Sequence, residues 1–204
     1  MSDSGALLVR APLSLFVLAA LSEQPMRPYG VHKRLRERGK QSVVNIRNRN
    51  SVQQTMTRLE RDGYIRKMPD EPRDSSGRFE ATESGHEALR NTLIETLAAP
   101  AKEYPRFDAA VSLIASLSPD EVEGALAARL AAIDDELEAL YRVVADARRT
   151  LPRVLLLDDD LHCAMLQAEH TWIRQTLIQL RARSLTWSTE ELKEVAGGTN
   201  EQHE

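Results

Sequence analysis

The sequence predicts a mainly α-helical protein in which a short β-hairpin separates two groups of helices. Apolar residues recur three or four positions apart through most of the 204 residues, which is the pattern of amphipathic helices. Between positions 64 and 81, two short β-branched and aromatic segments flank a stretch rich in Pro, Asp, Ser and Gly, which indicates a hairpin. After Pro119, one apolar repeat continues for about six helical turns, which indicates a long helix packed against another helix.

The composition is typical of a globular protein. Hydrophobic residues make up 42% of the chain and charged residues 28%, so a core can be buried. No stretch approaches the roughly 20 apolar residues that a membrane-spanning helix needs. The single cysteine, Cys163, excludes an intramolecular disulfide framework and fits a reducing compartment. We therefore expect a cytoplasmic protein without membrane contact.

Three helices are predicted in the first part of the chain, at residues 11–21, 28–39 and 51–61. Pro28 suits the first turn of the second helix, Gly39 is its expected end, and Ser51 is an N-cap residue for the third. The first helix is apolar on more than one face. The residues expected to face the core of the other two are Tyr29, Val31, Leu35, Val52, Met56 and Leu59.

A hairpin and a fourth helix are predicted to follow. The strands are expected at 64–68 and 78–81, with a charged turn at 69–77, and Thr82 caps a helix that runs to about Ala98. Three helices, a hairpin and a further helix, in this order, form a winged helix-turn-helix. In such a module the third helix enters the major groove of DNA, and the hairpin lies along the DNA backbone.

The second part of the chain is predicted to be helical throughout. A short helix at 107–117 precedes Ser118, whose side chain is a good N-cap for a long helix to about residue 149. Asp158 to Asp160 precede a final helix at 161–183, as a capping and dipole arrangement. The predicted organisation is a winged helix-turn-helix domain at 1–99, a linker at 100–105, a helical dimerisation domain at 106–187 and a disordered tail at 188–204.

The apolar repeat of the long helix predicts the surface that holds two chains together. Its residues follow one another at spacings of three and four, close to a heptad repeat. With two large side chains of the final helix, they form the predicted homodimer contact: Val122, Leu126, Leu130, Ile133, Leu137, Leu140, Val144, Met165 and Trp172.

The charge is distributed unevenly along the chain. The net charge is −4, but residues 1–100 hold 16 Lys/Arg against 12 Asp/Glu, whereas residues 101–204 hold 11 against 19. The window 27–67 alone has 12 basic and 3 acidic residues. Such a patch attracts a polyanion such as double-stranded DNA. A solvated charged surface is the alternative explanation, and charge alone does not separate the two.

The third helix carries the side chains expected to read DNA. Gln53, Gln54 and Asn50 lie near its N-terminal end and can form paired hydrogen bonds with adenine. Ser51 and Thr57 can contact either a base or a phosphate. The residues expected to contact phosphates are Arg47, Arg49, Arg58, Arg73 and Arg78, the last two from the hairpin.

Residues 11–187 resemble the PadR family of transcriptional regulators, in the form with a long helical C-terminal domain. The resemblance lies in the segments Arg27–His32, Arg58–Ile65, Phe79–Gly85, Glu103–Phe107, Leu117–Glu121 and Leu185–Trp187. It implies a homodimeric repressor on a pseudo-palindromic operator, whose DNA affinity a small molecule relieves. Where the family usually has a tyrosine in the third helix, this chain has Gln53.

Other functions are less well supported by the residues. His162, Cys163, Glu169 and His170 are close in sequence, but on a helix they do not form a compact set of metal ligands. No constellation of catalytic residues is present, so neither an enzyme nor a cofactor is expected. The alternative function is a dimeric protein-interaction adaptor that no longer binds DNA. Any effector is expected to be small and apolar or aromatic, bound between the domains or at the dimer interface near Met165 and Trp172.

Overall fold

A computed structural model describes residues 11–38, 44, 49–69 and 77–188 of the protein. These residues divide into two compact units, with the boundary between Lys102 and Glu103, inside the segment predicted as a linker. Arg47, Arg73, most of the predicted hairpin turn and nearly all of the predicted tail lie outside the described residues. None of the described helices is long and apolar enough to cross a membrane.

The first unit contains four helices and a two-stranded antiparallel sheet. In chain order these are α1 (Pro12–Glu23), α2 (Pro28–Glu37), α3 (Arg49–Arg61), β1 (Ile65–Lys67), β2 (Phe79–Ala81) and α4 (Glu83–Ala98). The strands pair Ile65 with Ala81 and Lys67 with Phe79. The predicted order of three helices, a hairpin and a fourth helix is thus confirmed.

Local sequence explains where these elements begin and end. Prolines occupy the first turn of α1 and of α2, where a missing backbone N–H costs nothing. Gly63 follows α3 with φ +79°, a conformation that glycine adopts without strain. Thr82 caps α4 as predicted, because its side chain accepts a hydrogen bond from the Gly85 N–H at 3.1 Å.

The core of the first unit lies between α1, α2, α3 and the sheet. All but one of the residues predicted to face the core from α2 and α3 are buried. Helix α1 is buried on more than one face, as predicted. The core side chains are Val17, Leu18, Ala20, Leu21, Val31, Leu35, Val52, Met56, Leu59 and Ile65. The exception is Tyr29, which is 60% exposed. Two residues on a helix turn through about 200°, so Tyr29 faces away from the side on which Val31 packs.

The regular elements among the described residues of the second unit are all helical. It contains α5 (Arg106–Ser112), a 3₁₀ turn (Ile114–Ser116), α6 (Pro119–Ala147), a second 3₁₀ turn (Arg153–Leu156) and α7 (Leu157–Arg181). The single helix predicted at 107–117 is therefore a helix followed by a 3₁₀ turn. Helix α7 begins four residues earlier than predicted, so Asp158 to Asp160 lie inside its first turn. Acidic side chains in this position stabilise a helix by interacting with the positive end of its dipole. The three aspartates do not cap α7, because its N-cap is Leu156, without a side-chain hydrogen bond.

The start of α6 is a capping box. The Ser118 Oγ accepts a hydrogen bond from the Glu121 N–H, and the Glu121 carboxylate accepts one from the Ser118 N–H at 2.8 Å. The Ser118 hydroxyl also donates to this carboxylate at 2.7 Å. These hydrogen bonds, first that of the Ser118 side chain, lower the pKa of Glu121.

Helices α6 and α7 pack against each other and form the core of the second unit. The apolar repeat of α6 is buried or half-buried as its periodicity indicates, with Val122, Leu126, Ile133 and Leu137 packed in one cluster with Ile173, Leu177 and Leu180. The partner of the repeat is thus a helix of the same chain. Val122, Leu126, Ile133 and Leu137 therefore contact a helix of their own chain, and contact of the α6 repeat with a second chain stays a prediction.

Candidate nucleic-acid interface

Helix α3 has a buried apolar stripe on one side and a polar face on the other, which is exposed to solvent. Val52, Met56 and Leu59 are at most 1% exposed, and this anchoring fixes the rotation of the helix. The described side chains that it turns to solvent are Asn50, Gln53, Gln54, Thr57, Arg58, Glu60 and Arg61, while Ser51 is half-buried. The structure therefore exposes, on one helix, most of the residues predicted to read DNA. Arg49 is the first residue of this helix.

Hydrogen bonds along α3 restrain two of these side chains. Thr57 Oγ1 donates to the Gln53 carbonyl at 3.1 Å. Arg58 turns back toward the N-terminal end of the helix, because its Nε donates to the Gln54 carbonyl at 3.4 Å. Arg61, in contrast, pairs with the neighbouring Asp62 at 2.7 Å, which partly neutralises the C-terminal end of this face.

A groove beside α3 collects basic side chains. It has a volume of about 720 Å³ and lies between the start of α2, the N-terminal part of α3 and the end of the two strands nearest the hairpin turn. Its lining includes Arg27, Tyr29, Gln53, Lys67 and Arg78. We call it the α2–hairpin groove. Three of its ten lining residues are cations and most of the others are apolar, and Gln53 belongs both to the groove and to the exposed face of α3.

A backbone bridge brings the two arginines of the groove together. The Met26 N–H donates to the Phe79 carbonyl at 3.0 Å, and the Phe79 N–H donates to the Met26 carbonyl at 2.9 Å. In this antiparallel register Arg27 stands opposite Arg78. The sequence indicated a basic window but gave no sign of this bridge, so it predicted Arg78 and missed Arg27, Lys67 and Tyr29.

The two basic residues of β1 lie on opposite faces of the hairpin. Successive strand residues point to opposite faces, and Arg66 pairs with Glu80 at 2.7 Å, whereas Lys67 lines the groove. The Lys67 side chain crosses Gly77, where a Cβ would lie only 2.0 Å from its Cε. Gly77 also has φ +46°, so the backbone conformation favours glycine at this position, whereas the flexible Lys67 side chain could move aside.

The two histidines considered as metal ligands in the sequence lie beside different carboxylates. His162 Nε2 lies 3.4 Å from the Glu136 carboxylate, and His170 Nε2 lies 3.0 Å from that of Asp134. Burial raises the pKa of the Cys163 thiol, which disfavours the thiolate that metals bind. Within the described ranges, no three His, Cys, Asp or Glu residues are arranged to hold a metal ion.

Solved structures share this succession of elements. Bacillus subtilis PadR in complex with p-coumaric acid matches with a TM-score of 0.65 and 14% identity, over 89% of this chain and 99% of that one. The same regulator in complex with operator DNA matches with a TM-score of 0.61 and 16% identity, over 81% and 97%. The chain has the PadR fold.

The match to the PadR fold extends beyond this single regulator. The PadR-like transcriptional regulator BC1756 from Bacillus cereus has a TM-score of 0.58 and 14% identity, over 83% of this chain and 98% of that one. No family model and no curated protein matches the sequence. The resemblance inferred from short segments thus agrees with the fold.

Proposed function

We propose that the protein is a sequence-specific transcriptional regulator that binds double-stranded DNA through its first unit. One observation carries the proposal: the exposed amides of α3 adjoin a groove lined by Arg27, Lys67 and Arg78. Amides can recognise base edges, and a cluster of cations suits the phosphates that flank them. The similar structures support this assignment, since one of those regulators is seen with its operator.

The two parts of this surface have different roles in the proposal. Gln54, Gln53 and Asn50 read base edges from α3, with Ser51 and Thr57 beside them, and Arg49 and Arg58 contact phosphates nearby. The α2–hairpin groove holds a phosphate of the adjacent backbone. Tyr29 lines this groove together with Gln53, and we assign to its phenol the backbone contact expected of the tyrosine that Gln53 replaces. Arg47 and Arg73 keep their predicted roles as phosphate contacts.

Binding to the DNA upstream of the protein's own gene tests this function. The full-length protein is titrated onto that duplex and onto a scrambled duplex of equal length at physiological salt. Specific DNA binding predicts an affinity at least about 10³-fold higher for the upstream duplex. Equal or undetectable binding to both duplexes contradicts specific recognition at that site, and undetectable binding favours a protein-interaction adaptor.

Arg78→Ala is expected to weaken binding to all duplexes alike. Loss of one phosphate contact per subunit should make the slope of log affinity against log salt shallower by about one, or about two in a dimer. The control is Arg66→Ala, which removes an arginine from the same hairpin that is already paired with Glu80. Equal salt slopes for the wild type and both variants would show that Arg78 does not contact a DNA phosphate.

We further propose that the protein is a homodimer held by an exposed apolar stripe of α7. Leu157, Leu161, Met165 and Trp172 follow one another at spacings of four, four and seven, so they share one face. Each is 39–63% exposed, and a stripe of this kind marks a helix–helix interface. The α6 repeat then supports the stripe from behind, by holding α7 in place. A two-fold dimer fits a pseudo-palindromic operator.

Met165→Asp should convert the dimer to monomers, because it places a charge in the centre of the stripe. Ile178→Asp is the matched control: Met165 and Ile178 are both 63% exposed on α7, but they lie on different faces. Sedimentation velocity at micromolar concentration measures the outcome. A wild-type monomer, or the same oligomeric state for both variants, would contradict the proposed stripe.

The regulatory part of the proposal is repression relieved by a small molecule, in the reducing environment of the cytoplasm. One of the similar structures was solved with p-coumaric acid, so a protein of this fold accommodates an aromatic ligand. For such a ligand to relieve repression, it must bind the DNA-free arrangement more tightly than the DNA-bound one.

A further inference from the structure

An open pocket of about 400 Å³ lies between α5 and α7 in the second unit. It is lined by Phe107, Asp108, Val111, Glu169 and Trp172. The two aromatic rings meet edge to face, with centroids 6.0 Å apart and planes at 84°. Trp172 is 39% exposed in the single chain and also belongs to the proposed dimer stripe, so the pocket borders that interface. We call it the Phe107–Trp172 pocket.

The pocket already binds a cation from its own chain. The Arg129 guanidinium lies over the Phe107 ring, 3.7 Å from the centroid, and forms a close ion pair with the Glu169 carboxylate. An aromatic face and a carboxylate thus hold one planar cation between them. Cations bind aromatic faces through the ring quadrupole, and guanidinium groups do so readily.

The remaining lining is acidic and apolar. Asp108 and Glu169 contribute two carboxylates, and none of the lining residues is basic. Asp108 is exposed, whereas the Glu169 side chain is 25% exposed and its carboxylate is paired with Arg129. A negatively charged ligand would be repelled by Asp108, whereas a cation would be attracted by Asp108 and would reach Glu169 by displacing Arg129.

We propose that the Phe107–Trp172 pocket is the effector site and that its ligand is a planar aromatic cation. The ring system packs against Trp172 and Val111, and the cationic group lies between Asp108 and Glu169. There it competes with Arg129 for Glu169. This inference rests on the proposed function, because it names the chemical class of the effector.

Calorimetry without DNA tests the proposal with two probes of the same shape and opposite charge. 2-Naphthamidinium and 2-naphthoate are titrated separately into the full-length protein. The cation is expected to bind and the anion to bind more weakly or not at all. Because no DNA is present, the outcome is independent of whether the protein recognises an operator.

Three substitutions locate the bound cation. Asp108→Asn and Glu169→Gln should each weaken naphthamidinium binding roughly twofold to fivefold, as expected for partly exposed ion pairs. Arg129→Gln should strengthen it, because the internal competitor is removed. Glu138→Gln, an exposed residue of α6 paired with Arg142, is the control and should leave the affinity unchanged.

The sign of the Arg129 effect decides between a cation and an anion site. Tighter naphthamidinium binding to the Arg129→Gln protein supports the proposal. Preferential binding of naphthoate, weaker naphthamidinium binding to Arg129→Gln, or no binding of either probe would overturn it. An unchanged response to both carboxylate substitutions would also overturn it, since the cation would then be bound elsewhere.

Discussion

Replacing Ile173 with alanine is expected to lower the free energy of unfolding by about 2–5 kcal/mol, the usual cost of truncating a large core side chain. Ile173 is fully buried and packs in the cluster that joins α6 to α7. The substitution removes buried apolar surface and leaves a cavity where the two helices meet. Because α7 also carries the proposed dimer stripe, dimerisation should weaken at the same time.

Denaturant unfolding at a fixed protein concentration measures this effect, since the apparent stability of a dimer depends on concentration. Ile178→Ala is the matched control: it is the same substitution five residues later on the same helix, at a site that is 63% exposed. Its effect should stay within about 0.5 kcal/mol. Equal losses in the two variants would mean that the α6–α7 interface does not form the core of the second unit.

Gln54→Ala is expected to give the second large effect, on operator binding. Loss of one base contact costs about 1–3 kcal/mol, and a dimer loses the contact twice, so the whole operator should lose about 2–6 kcal/mol. Gln54 is exposed on α3, and its side chain is not part of the core. The folded state should therefore be unaffected while recognition is lost.

The kind of loss distinguishes base reading from phosphate contact. Titration of the Gln54→Ala protein onto operators with single base changes should show relaxed discrimination at one position in each half-site, with the salt slope unchanged. Arg78→Ala should show the opposite, a shallower salt slope with discrimination intact. If Gln54→Ala lowers affinity for all sequences equally, Gln54 does not read a base.

Periodicity in the sequence was sufficient to predict the faces of most helices. In α3 the spacing of Val52, Met56 and Leu59 predicted both the buried stripe and the exposed amides, because one helix has one rotation. Tyr29 shows the limit of this reasoning. Its size suggests a core residue, but its position relative to Val31 places it on the other face.

Long-range pairing could not be derived from the sequence. The groove depends on the bridge between Met26 and Phe79, which are 53 positions apart, and no local pattern marks such a contact. Phe107 and Trp172 are even farther apart, at 65 positions. Likewise, the repeat of α6 was predicted to hold a second chain, whereas four of its residues pack against α7 of the same chain. An apolar repeat indicates a helical partner but does not say to which chain that helix belongs.

Nuclease footprinting of the wild-type protein on the DNA upstream of its own gene tests whether α3 recognises DNA. We expect protection of two half-sites whose centres lie about 10–10.5 base pairs, or a multiple of this, apart. We also expect that Gln54→Ala abolishes the protection at a concentration where Arg66→Ala retains it. Uniform cleavage at saturating protein, with and without the substitutions, would contradict DNA recognition by α3 at this site.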